Sequence, residues 1–382
     1  MTKVDVAIIG GGVIGASIAW HLLELKPDLA VAIIEKDPSY QESSTPRSAG
    51  GIRRLFTKEV HIRLSQYSLE IYRNFSRTLG QEISFRPYGY LFLARKESWP
   101  SLKAAHDLQR SLGVTAELLS PAQIREIIPE LKVDDLEGGL YGRGDGYMDP
   151  YAVMQGYLRR AKEKGALYLE DEATSFVLEG GSIRGVGLAS GKEIQASAVV
   201  NAGGAWGADL SRRMGYPLPV VPLPRQVFVL QPGIPFQNHL PLTIDPTGVY
   251  FREEGQKIIA GYSEEREPSF ELTWDPRFFE EHIWPVLAER APNLEALRLE
   301  RGWAGIYDDH IHDHSALLGP HPELQGYYVA LGFSGHGLQH APAVGIGMAE
   351  WILRGAPQTV DLTPLTVERL WTKNWVREEA IV

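Results

Sequence analysis

Residues 4–10, VDVAIIG, are a short apolar run that ends on glycine, the pattern of a strand buried on both faces. ASIAWHLLEL follows with apolar residues at helical spacing, and AVAIIEKD, residues 30–37, is a second buried-strand run. EVHIRLSQYSLEIYRNFSRTLG, residues 59–80, predicts one long helix. From residue 166, ALYLEDEATSFVLEGGSIRGVGLASGKEIQASAVVNAGG predicts successive strands, with glycine turns at 180–181 and 190–191. Strand-like runs recur in VVPLPRQVFVL, GVYFREEG and KIIAGYS, and AVGIGMAEWILRG near the end predicts a helix.

Between the first strand and the first helix lies G-x-G-x-x-G, at Gly10, Gly12 and Gly15. The second strand ends at Glu35, about 20 residues on, where a ribose-binding acid belongs in a dinucleotide-binding unit. Gly10 suits the tight turn, Gly12 lets backbone approach a pyrophosphate, and Gly15 lets helix pack on strand. The helix N-terminus offers free N–H groups to phosphate. Glu35 fits the ribose of NAD or FAD alike. The next stretch, SSTPRSAGGIRRLF at 43–56, favours FAD: a long loop of small residues replaces a prompt third strand. Its Ser44, Thr45, Ser48 and Gly50 are candidate donors to a pyrophosphate and ribityl chain; a solvated loop is the alternative.

The chain has 382 residues, room for two domains or one large α/β unit, and a formal charge of -10. That charge disfavours a nucleic-acid partner. The absence of cysteine excludes disulfides, thiolate metal sites and a cysteine-linked cofactor. No apolar run approaches the roughly 18–20 residues of a membrane span, so a soluble, cytoplasmic protein is expected.

IIGGGVIGASIAWHL, the STPRSAGGIRR loop, PYGYLFLA, GYMDPYAV, VVNAGGAWGADL, RGWAGIYD and GFSGHGLQHAPAVG together cover nearly the whole chain. In these segments the sequence resembles the D-amino-acid-oxidase/sarcosine-oxidase superfamily of FAD-dependent oxidoreductases. Within it the chain looks like the β subunits of dye-linked L-proline dehydrogenase and sarcosine oxidase, and like the mitochondrial FAD-dependent oxidoreductase domain-containing protein. The resemblance implies an α/β Rossmann-type FAD-binding domain from residues 1–84, 146–215 and 318–382. An α+β substrate domain on a large, mostly antiparallel sheet would take 85–145 and 216–317.

It also implies the residues around FAD. The first unit gives Gly10, Gly12, Val13, Ile14, Gly15, Glu35 and Lys36. The loop gives Ser44, Thr45, Ser48, Gly50 and Gly51, and the returning chain gives Ala173, Ala202, Gly203 and Trp206. Gly305, Gly335, His336, Gly337, Leu338 and Gln339 would lie by the flavin, where a helix N-terminus stabilises the negative charge of the reduced ring. For His336 a structural role, with the ring satisfied by backbone, is the favoured reading. Gln339 replaces a lysine that holds the substrate carboxylate in single-subunit sarcosine oxidases.

The implied chemistry is oxidation of the C–N bond of a small amine or amino acid, such as sarcosine or proline. Arg53 and Arg54 are the leading candidates for a substrate carboxylate, since a guanidinium grips one bidentately; Arg225 is a weaker one. Tyr250 and Tyr307 are candidate cavity residues. Arg47 stands where some relatives attach FAD through histidine, so non-covalent FAD is expected. Ile259 stands where the oxidases carry an oxygen-activating lysine, which favours an acceptor other than O2, although Lys257 is close by. An H2O2-producing oxidase and an FAD-binding assembly protein remain the alternatives. YDDHIHDHS at 307–315 is read as a flavin-adjacent loop in preference to a metal site. The tail LWTKNWVREEAIV suits either a partner subunit or packing on the body.

Overall fold

A computed structural model describes residues 2–264 and 266–379. Strand β1 (Thr2–Ile9), helix α1 (Val13–Leu25) and strand β2 (Val31–Glu35) form the expected unit, with β1 and β2 parallel. Every residue of β2 is buried, which is why its sequence is an apolar run without alternation.

β1 and β2 are central in the first sheet. On the β2 side lies the parallel strand Leu167–Glu170. On the β1 side lie Glu193–Asn201 and Tyr327–Leu331, both parallel, and then Leu317–Pro320. The hairpin Ala173–Glu179 and Ser182–Leu188 turns through Gly180 and Gly181 and joins Glu193–Asn201 antiparallel. Chain far apart in sequence thus meets at one edge of the nucleotide unit.

The second sheet has eight strands. Its order is Arg298–His310, Val220–Gln231, Lys257–Gly261, Tyr250–Glu254, Leu242–Ile244, Tyr90–Ala94, Gly138–Gly142 and Ala116–Leu119. All neighbours are antiparallel except Leu242–Ile244 with Tyr90–Ala94. The fold is therefore α/β with a second, mostly antiparallel sheet.

The helix expected over 59–80 is two: Glu59–Arg73 and Phe75–Leu79. Asn74 breaks it, its side-chain amide bonded back to the Glu70 carbonyl. The C-terminal helix is longer than its apolar pattern predicts. It starts at Gly337 and runs to Arg354, with Pro342 inside. It lies against α1, where Ser17 Oγ donates to the Ala341 carbonyl at 2.8 Å.

Candidate FAD site and substrate pocket

Gly10 turns the chain with φ of +95°, and a Cβ there would lie 2.6 Å from the Ala202 carbonyl oxygen. At Gly15 a Cβ would sit 2.0 Å from the Gly10 carbonyl oxygen, so this glycine packs α1 onto the turn and does not line the cleft. Gly12 faces the cleft and begins α1, and has no side chain to cap it. Thr45 reaches over from the small-residue loop, and its Oγ1 accepts from Val13 N at 3.2 Å.

The cleft runs between the two sheets. Val13, Ile14, Glu35, Lys36, Ser44, Thr45, Ser48, Ala173, Ala202, Gly203, Trp206 and Gly305 line it. Glu35 is buried; its carboxylate accepts from Gly11 N at 2.7 Å and Asp37 N at 2.8 Å. Burial pushes its pKa up and the two backbone donors pull it down. The Lys36 ammonium lies 4.5 Å from the Trp206 ring centre. Gly50 and Gly51 do not line the cleft; Gly51–Ile52 pairs with Gly146–Tyr147 as a two-stranded ribbon, and Gly50 turns the chain into it. Their place follows from Met148, whose carbonyl oxygen would lie 2.2 Å from a Cβ at Gly50.

At the other end Gly335, Gly337 and Leu338 line the cleft, where the C-terminal helix begins without a side-chain cap. Gly335 has φ of +89°, and a Cβ there would meet the Tyr307 ring at 2.5 Å. Asp308 anchors this loop by accepting from Gly332 N at 2.7 Å. Burial raises its carboxyl to about 6, against the pull of the backbone donors of Phe333 and Gly332. Two helix N-termini thus open on one cleft floored by glycine backbone, with a carboxylate placed for a ribose. This donor set fits FAD, whose pyrophosphate and flavin each take backbone N–H groups.

Tyr250, Tyr307 and Arg225 line the same cleft, Tyr307 against Gly335. The Arg225 guanidinium lies 5.7 Å from the Tyr307 ring centre, and its Nη1 donates to the Glu264 carbonyl at 2.7 Å. Its Nε is buried with no hydrogen-bond partner among the described residues. Burial pulls its pKa below the ordinary arginine value and raises both tyrosines.

Arg54 departs from expectation. Its Nε lies 2.6 Å from the buried Asp145 carboxylate, its Nη2 bonds the Arg143 carbonyl, and it does not line the cleft. Arg53 is buried behind the cleft wall, stacked 4.5 Å from the Phe56 ring centre, with Nη1 3.4 Å from the Tyr90 hydroxyl and Nη2 3.4 Å from His336 Nε2. Gln339 faces inward too, accepting from Arg53 N at 3.1 Å. His336 sits in the same cluster, its pKa held well below the usual value by burial and then by Arg53, so it is neutral. Ile259 lines a second cavity, on the other side of the loop at Pro46 and Ser48, and Lys257 is ion-paired with Glu300.

YDDHIHDHS, expected as a loop, is the end of the strand Arg298–His310 and the turn after it; Asp309 pairs with His314 at 2.9 Å, and Asp313 with His310 at 2.5 Å and with Arg369 at 3.1 Å. The tail packs on the body up to Glu379; Ala380 to Val382 lie outside the described residues.

Residues 5–351 match the family of FAD-dependent oxidoreductases called DAO. The chain belongs to this family, and its cofactor is FAD. FAD-dependent oxidoreductase domain-containing protein 1 of Xenopus laevis is 34% identical over 100% of this chain and 85% of that protein. Human mitochondrial sarcosine dehydrogenase is 27% identical over 98% of this chain and 43% of its own length. The crystal structure of L-proline dehydrogenase from P. horikoshii superposes with a TM-score of 0.90 at 31% identity, covering 98% of this chain and 99% of that one. Of the three arginines offered as carboxylate candidates, Arg225 lines the cleft and Arg53 and Arg54 do not; a single arginine within a strand carries no motif that would have ranked it first.

Proposed function

We propose that this DAO-family oxidoreductase oxidises the C–N bond of a small amino acid, secondary or N-methylated, and passes electrons to an acceptor other than O2. When bound, FAD supplies the two-electron acceptor for that oxidation. The observation that carries the reading is the meeting of the Gly337 helix N-terminus with Tyr250, Tyr307 and Arg225 at one end of the cleft. The helix end favours negative charge on the cofactor side. Arg225, whose Nε has no hydrogen-bond partner among the described residues, takes the substrate carboxylate at the wall, and Arg53 lies buried behind that wall. The tyrosines, neutral at working pH, supply an apolar wall with hydroxyl ends that holds an amine and excludes water.

The names of similar proteins, sarcosine dehydrogenase and L-proline dehydrogenase, support the substrate class. The dehydrogenase reading is supported by Ile259, which brings no charge, and by Lys257, held by Glu300 on the far cavity. A cation beside the flavin would favour superoxide; these residues provide none. FAD held without a covalent bond is part of the same reading.

The test is anaerobic mixing of the yellow protein with sarcosine, glycine, L-proline and D-amino acids, followed by flavin absorbance. Bleaching by one of them and slow recovery in air is the expected result. Fast recovery with peroxide would make it an oxidase. An unbleached flavin with every amino acid would overturn the substrate class.

A further inference from the structure

Glu378 lies near the end of the described chain, in a charged tail, yet its side chain is wholly buried. Its carboxylate accepts from the Thr57 backbone N–H at 3.0 Å, from the Thr57 hydroxyl at 2.8 Å, and bonds His61 Nδ1 at 3.0 Å. A buried carboxylate persists where it is multiply hydrogen-bonded, and this one is. The segment that brings it there is pinned on the way. Val376 N donates to Asp313 at 2.9 Å, Ser315 Oγ donates to the Val376 carbonyl at 2.6 Å, and Trp375 packs on His312 with ring centres 4.6 Å apart. Residues 369–379 thus form a strap fastened at both ends.

What the strap touches connects it to the substrate pocket. The Thr57 amide that Glu378 holds is the one directly after Phe56. The Phe56 carbonyl is held from the other side by Gln109 Nε2 at 3.0 Å. Phe56 is fully buried, and its ring face carries the Arg53 guanidinium at 4.5 Å. His61, the other partner of Glu378, packs against Phe56 with ring centres 5.5 Å apart and stacks on His340 at 5.6 Å. His336, which meets Arg53 Nη2, stands edge-on to Phe56 at 5.1 Å.

We propose that Glu378 is a positioning residue: through Thr57 and His61 the C-terminal strap fixes the Phe56 platform that holds the Arg53 charge behind the cleft wall beside His336, where it favours an anionic group on a substrate gripped by Arg225. The inference rests on the reading above, that the substrate carries a carboxylate. It adds that the substrate pocket is completed by the end of the chain. Glu378 touches neither FAD nor substrate, and works by removing alternatives for a long, rotamer-rich guanidinium.

The test uses FAD-loaded protein and two ligands of the same shape, benzoate and benzamide, read by perturbation of the flavin spectrum. Glu378→Ala is expected to weaken benzoate about tenfold and benzamide less than about twofold, since tenfold is about 1.4 kcal/mol. Glu378→Gln, which keeps an acceptor for Thr57, should restore benzoate to within about threefold of the wild type. In turnover the same variants should raise KM for the amino acid more than they lower kcat. Equal loss of both ligands, or unchanged benzoate binding by a folded, yellow Glu378→Ala, would overturn the proposal. If Glu378→Ala does not fold, His61→Ala, which removes the other link from Glu378 to Phe56, decides: benzoate weakened beyond about threefold with benzamide kept counts for the proposal, and parallel loss or no loss counts against it. A wild type that binds neither benzoate nor any amino acid would sink the substrate reading itself, a result separable from strap failure in an active wild type.

Discussion

The hydroxyl of Tyr72 donates to the backbone carbonyl of Leu338, 2.5 Å away. Pro342 lies four residues after Leu338 and has no N–H, so this is the carbonyl the proline leaves without its helical partner. A side chain from the helix Glu59–Arg73 therefore completes the first turn of the C-terminal helix, at the end that faces the flavin.

Tyr72→Phe should destabilise the protein by about 1–3 kcal/mol, because a buried carbonyl loses its donor. In a Pro342→Ala background the restored N–H serves Leu338, and the loss should shrink to about half or less. Chemical denaturation of the four proteins measures the cycle. Equal losses in both backgrounds would show that the hydroxyl and the proline are not coupled.

Arg54 should answer differently from Arg225. Arg54→Gln leaves Asp145 buried without its cation, a change worth about 3–5 kcal/mol of stability. Arg225→Gln should leave melting within a few degrees of the wild type and raise KM for a carboxylate-bearing substrate about tenfold or more. A KM effect at Arg54 with normal stability would reverse the assignment.

Gly335→Ala places a methyl against the Tyr307 ring in a backbone conformation with φ of +89°. The protein should purify with less flavin and bind added FAD more weakly, by about tenfold. The ratio of flavin to protein absorbance reads this directly. Full flavin content with normal turnover would show that the loop tolerates a side chain.

Asp308 should make stability fall with rising pH. Its folded pKa, about 6, stands above its ordinary value of 3.8. The folded state thus holds the proton more tightly, and its contribution is full below the unfolded value and lost as pH rises through about 6. In FAD-stripped protein, the melting temperature of Asp308→Asn minus that of the wild type should rise between about pH 4 and pH 7. A flat difference would mean that the carboxyl titrates normally.

The nucleotide half of the site was legible because its demands fall on backbone, and glycine records them in the sequence. Gly10 and Gly12 line the cleft where their spacing puts them, Gly337 lines it where the resemblance puts it, and Glu35 lies at the end of an apolar strand that fixes its register. The pocket was less legible. Arg53 and Arg54 are adjacent, but their guanidinium groups have different surroundings, and what decides between them is Asp145, 91 residues away. Glu378 carries no signal at all, since a glutamate in a charged tail reads as solvated until the tail is seen to fold inward. The break at Asn74 was hidden because the apolar pattern continues past it, and one local hydrogen bond redirects the helix.

The contact between α1 and the C-terminal helix has a consequence for length. A Cβ on Gly345 would come within 2.1 Å of Ser17 Oγ and 2.6 Å of His21 Nδ1, so the two helices touch there without slack. One helix ends at the cleft by Gly12, the other by Gly337. The span between those ends depends on that crossing, which works as the pivot of a caliper does, outside the gap it sets. A bulkier residue at the pivot would register as a wrong fit at both jaws together.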